Sequence, residues 1–102
     1  MNWQHLVGCF FAGMFLANAV PHFTKGVCGD RFPTPFARPP GKGLSSPLVN
    51  TLWALLNMVI GYVLLRVGWM PDSVERSLAA AFIGAAAISV MLSVSFAHKH
   101  SA

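Results

Sequence analysis

Three apolar runs, each long enough to cross a lipid bilayer, take up more than half of this chain and leave it very few possible folds. The first spans residues 3–20 around LVGCFFAGMFLANAV and, at 1.5 Å per residue, covers about 27 Å as a helix. The second, residues 48–69, extends to about 33 Å, and the third, residues 78–97, to about 30 Å. None alternates with a period of two, and three strands cannot close a barrel, so all three runs are predicted to be helices. The expected fold is therefore an all-α integral membrane protein in which residues 1–102 form a single three-span domain. A long Pro/Gly-rich connector, residues 21–47, joins helices 1 and 2, and a tight hairpin joins helices 2 and 3.

Composition supports lipid as the solvent. Apolar residues make up 55% and charged residues only 10% of the chain, against about 25% charged in ordinary soluble domains. A soluble three-helix bundle would need a charged stripe on each helix, and the third run has none.

Local signals set the expected boundaries. Pro21 disfavours helical geometry at Val20 and is predicted to end the first helix there. Ser46 before Pro47 matches a capped helix start. Gly68 offers a stop, and Asp72 followed by Glu75 offers a capping pair for the third helix. Ala17-Asn18-Ala19 resembles a cleavage pattern, but no Lys or Arg precedes the first apolar run, so a retained span is expected rather than a signal peptide.

The connector carries Lys25, Arg31, Arg38 and Lys42, and Lys99 returns to the same side, whereas Arg66, Arg76 and the N-terminal amine lie opposite. The positive-inside rule places the connector and the C-terminus in the cytoplasm, with a bacterial inner membrane as the expected location. The net charge of +4 comes from residues that flank apolar runs and lack any nucleic-acid-binding signature. It therefore points to anionic head groups, so membrane lipids are the expected partner and nucleic acid is not.

Small side chains predict where helices meet. Ala81, Ala85, Ser89, Ser93 and Ala97 recur every four residues on the third helix, and Cys9, Gly13 and Ala17 do so on the first. On the second helix Asn50, Ala54, Asn57, Gly61, Leu64 and Gly68 follow the alternating spacing of a left-handed seam. Asn50 and Asn57 should face protein or a polar cavity, because an unpaired amide in lipid costs about 2 to 7 kcal/mol. Packing stripes on three helices predict a homo-oligomer or a place in a larger membrane complex.

Chemistry is sparse. His22, Cys28, Asp30 and Arg31 form the most reactive-looking group, a thiol near a cation and a base, yet nothing in the sequence fixes their mutual geometry. The two cysteines form no CxxC pair, and the histidines lack metal-ligand spacing, so neither a metal nor a cofactor is expected. Lys42, Ser45 and Ser46, at the start of the second helix, make a candidate lipid or anion site, with Arg66 a second one at the interface. The sequence ranks a structural or accessory membrane subunit first. An oligomeric channel or transporter relying on Asn50 and Asn57 ranks second, and a small membrane enzyme using the connector third.

Overall fold

The computed structural model describes residues 3–40 and 43–97. It is all-helical: α1 (Trp3–Val27), α2 (Pro47–Gly68), a single 3₁₀ turn (Pro71–Ser73) and α3 (Val74–Phe96). The segments Trp3–Val27, Pro47–Gly68 and Pro71–Phe96 are each long and apolar enough to cross a membrane.

α1 is the centre of the bundle. It packs along α2 on one side and along α3 on the other, while α2 and α3 barely approach each other. The expected hairpin thus exists as a short turn between consecutive helices, but α1 occupies the position where the hairpin partners would have met. Glycine explains the choice. A Cβ on Gly13 would fall 1.8 Å from the Ala81 carbonyl oxygen, and one on Gly84 would fall 1.8 Å from that of Phe10. On the α2 side, Gly68 lies against the backbone of His5 and Gly8, Gly61 against Leu16 and Ala12, and Gly26 against Thr51 and Pro47. In lipid, helices associate through close backbone approach rather than through a hydrophobic drive, and glycine on both seams of α1 allows that approach.

The five fully buried residues of α2 are Asn50, Ala54, Asn57, Gly61 and Gly68, all members of the seam read from their spacing. α3 departs from expectation. It buries Ser77, Gly84 and Ile88; Ala81 and Ala85 are half-buried, and Ser89, Ser93 and Ala97 are exposed. Only the early part of the small-residue ladder is thus used against α1. On α1, Cys9 and Gly13 are buried and Ala17 is half-buried.

Pro21 does not end α1. The helix continues through it to Val27, giving up only the hydrogen bond that proline cannot donate. Contacts beyond the proline hold the last turn: His22 bonds to α2 and Gly26 fits against Thr51 and Pro47. The helix then closes in a Schellman arrangement. Gly29, at φ 78°, donates to the Gly26 carbonyl at 3.1 Å, and Asp30 donates to that of Lys25 at 2.9 Å. The connector is correspondingly shorter than its proline content implies.

α2 begins as expected, with the Ser46 hydroxyl oxygen accepting from the Val49 N–H at 3.2 Å. The start of α3 differs. Its N-cap residue is Ser73, which makes no side-chain cap, and Asp72 and Glu75 are exposed. Ser77 organises the turn instead, accepting from the Met70 N–H and donating to the Ser73 carbonyl, both at 3.1 Å. A buried hydroxyl can serve both groups at once, which an exposed carboxylate cannot.

The molecule is polar inside and apolar outside. Asn50, Asn57, Thr34, Pro33, Cys9 and Ser77 are its largest fully buried side chains, while Leu52, Val59, Phe82, Val90 and Val94 are all more than half exposed. A water-soluble protein arranges these the other way round.

Candidate functional site

Among the described residues, the buried polar side chains His22, Thr34, Ser45 and Asn50 gather at the end of the bundle where α1 finishes, α2 begins and α3 finishes, with Asn57 nearer its middle and Ser77 at the other end. Asn18 and His22 lie one turn apart on α1, and Asn50 and Asn57 lie two turns apart on α2, so each pair presents one helix face. Those faces meet in two rungs. Asn18 Nδ2 donates to Asn57 Oδ1 at 3.0 Å, and His22 Nδ1 lies 2.8 Å from Asn50 Oδ1.

Asn50 organises the connector above it. Its Nδ2 donates to the carbonyls of Phe32 at 3.0 Å, Ser45 at 3.2 Å and Ser46 at 3.1 Å, sharing two hydrogens among three acceptors. Because the amide nitrogen faces carbonyls, Oδ1 is the atom turned to His22 and can only accept. His22 Nδ1 therefore carries a hydrogen, and in the neutral form of the ring Nε2 carries the lone pair. Nε2 has no hydrogen-bond partner among the described residues.

The connector forms a cap. Phe32 and Ser45 exchange backbone hydrogen bonds of 3.2 and 2.9 Å in an isolated antiparallel bridge. The Thr34 and Ser45 hydroxyls bond to each other, and Thr34 also accepts from the Phe36 N–H at 3.1 Å. Aromatic edges close the sides: His22 stands 5.4 Å from Phe32 and 6.4 Å from both Trp53 and Phe96, and Phe36 stands 5.1 Å from Trp53. Beside this cluster lies a cavity of about 230 Å³ lined by Asn18, His22, Pro33, Thr34, Pro35, Trp53, Leu92, Ser95 and Phe96. The Trp53 indole N–H is buried and has no acceptor among the described residues.

Several sequence candidates fall elsewhere. His22 is buried, whereas Cys28, Asp30 and Arg31 are exposed beyond the helix end, so the four do not gather as one pocket. Ser45 is committed to Phe32 and Thr34, and Ser46 to capping α2. Lys42 lies outside the described residues. Arg66 sits at the opposite end of α2, donating to the Tyr62 hydroxyl at 2.8 Å with its guanidinium 5.8 Å from that ring's centre. No cluster of three metal-ligating side chains occurs among the described residues. Asn18, Thr34 and Trp53 are the members that sequence reasoning missed. The recoverable signal was the helical spacing of Asn18 and His22, parallel to that of Asn50 and Asn57.

A double-mutant cycle with Asn18→Ala and Asn57→Ala should return a coupling of about 0.6 kcal/mol in reversible unfolding from lipid or detergent. Strict additivity would remove the lower rung of the cluster. The Asn57 amide also donates to the Trp53 carbonyl at 2.7 Å, so a single Asn57 substitution should cost more than the coupling alone.

Comparison with protein-family models, curated proteins and solved structures gives no match to this chain.

Proposed function

We propose that this chain is a small integral membrane protein of the bacterial inner membrane that works as a structural or accessory subunit, with its capped helix end as the recognition element. The observation that carries this reading is the network of buried polar side chains concentrated toward one end of the bundle, against Ser77 and a His5 ring nitrogen at the other. Asn18, His22, Asn50 and Asn57 bond among themselves or to backbone near the connector, while the opposite half is closed by Gly8 against Gly68 and Gly13 against Ala81. A chain packed in this way supplies a rigid body and a polar end, not a conduit through its own centre. The exposed apolar faces of α2 and α3 suit acyl chains and neighbouring subunits, and Lys25, Arg31 and Arg38 supply positive charge for a cytoplasmic connector facing anionic lipid.

The test is photocrosslinking in native membranes from Phe36 on the cap and Val90 on α3, both more than 60% exposed. A discrete adduct, either a second copy or a larger protein, is expected from at least one position. Monomer alone at both positions would refute subunit function. Ion or solute flux through liposomes containing the purified chain, abolished by Asn57→Leu, would replace this reading with an oligomeric channel.

A further inference from the structure

We propose that the cavity beneath the cap binds the head group of a lipid-borne phenol or hydroquinone, with the aromatic ring inside and the apolar tail along α3. The inference rests on the membrane setting proposed above, and it holds whether or not the chain assembles with a partner.

The lining specifies the ligand's chemistry. No charged side chain borders the cavity, so a charged head group would enter without a counter-ion and a neutral one is preferred. His22 is 2% exposed, and Asn50 holds its Nδ1, which leaves the Nε2 lone pair as the ring's remaining polar atom. Asn18 donates its amide hydrogen to Asn57, leaving its own carbonyl oxygen as an acceptor. His22 and Asn18 thus offer acceptors to the cavity, and a hydroxyl group answers them by donating to a nitrogen or carbonyl oxygen. A carbonyl or ether has no hydrogen to donate.

Shape narrows the class further. Trp53 and Phe96 supply aromatic rings to the cavity wall and Pro33 and Pro35 apolar aliphatic ones, a lining that favours a planar aromatic guest. An apolar cavity of about 150 Å³ holds benzene, so about 230 Å³ accommodates a single ring with small substituents. Leu92 and Ser95 form the α3 wall. Ser95 is exposed, and its neighbours Met91 and Val94 are more than half exposed and apolar, which provides a lipid-facing track for a tail.

The test uses the full chain in phosphatidylcholine nanodiscs, with co-elution of protein and disc reporting the membrane setting separately from ligand binding. The probes are 4-octylphenol and its methyl ether, 4-octylanisole, which enters lipid with the same tail but has no hydroxyl hydrogen. The readout is the Trp53 indole N–H resonance, assigned by its loss in Trp53→Phe. Octylphenol is expected to shift it saturably, with at least tenfold weaker binding of octylanisole. Ser95→Leu, at an exposed position, is expected to weaken octylphenol binding at least tenfold while the other indole resonances stay in place. Equal responses to both probes, no saturable shift in the unsubstituted chain, or full-strength binding by Ser95→Leu would each overturn the proposal.

Discussion

Gly13→Ala is expected to separate α3 from α1 and to lower stability by at least about 3 kcal/mol, because the obstruction is backbone. The added carbon would sit 1.8 Å from the Ala81 oxygen and 2.7 Å from its carbonyl carbon, distances that no rotamer change can relieve. Gly84→Ala should act in the same way through the Phe10 carbonyl. Gly8→Ala provides the control, since its nearest contact would be the Gly68 Cα at 3.3 Å, where a small local shift suffices. Unfolding in mixed micelles would rank the three variants. If Gly13→Ala proved as mild as Gly8→Ala, the close crossing of α1 and α3 would be refuted.

Asn50→Ala should release the cap as a unit. One side chain accepts from His22 and donates to three connector or helix-start carbonyls, so its loss leaves a buried imidazole N–H unpaired and takes a second hydrogen bond from carbonyls that keep only their backbone donors. At about 1 to 3 kcal/mol for the buried N–H left unsatisfied and about 1 kcal/mol for a typical hydrogen bond lost, the combined loss should reach about 3 kcal/mol even after relaxation. The most direct measurement is hydrogen exchange at the Phe32 and Ser45 amides, which pair with each other's carbonyls. Their protection should fall at least tenfold, whereas amides in the middle of α2 should change far less. Asn50→Asp is the informative companion. It keeps an acceptor for His22 but sets carboxylate oxygens against the carbonyls of Phe32 and Ser45, so the cap should loosen although the rung to His22 survives. Unchanged exchange in both variants would mean that the connector holds its shape without Asn50.

The helices were legible because their signals are local. Apolar length marked all three, and the small and amide residues of α2 marked its buried seam before any partner was known. The order of packing was not legible, because it depends on which glycines face which backbone. Gly13 and Gly84 lie 71 residues apart in sequence, and nothing local shows that they seal the same crossing. Pro21 misled because the rule against helix continuation considers only the residue and its neighbours. The six residues beyond it are fixed by contacts with Asn50, Thr51 and Pro47, which sequence position does not reveal. At the site, Asn50 and Asn57 were visible as amides in need of partners. Their partners were hidden, since His22 read as part of a connector and Asn18 as part of an apolar span. The proline-rich stretch concealed a further point: much of its first third is helix, and Phe32, Thr34 and Ser45 supply the tertiary contacts of the rest.

The central position of α1 has a consequence for how the protein is made. Of the three helices, the one at the middle of the bundle is synthesised before the other two, with Asn18 and His22 on its face and neither partner yet made. Until α2 follows, those groups have only water, lipid head groups or an insertion factor to bond with, and the glycine seams on both sides of the helix stay open. α2 supplies Asn57 and Asn50 together and closes one side; α3 arrives last and closes the other. Translation order thereby becomes assembly order, and a pause after α1 leaves Asn18, His22 and both glycine seams uncovered.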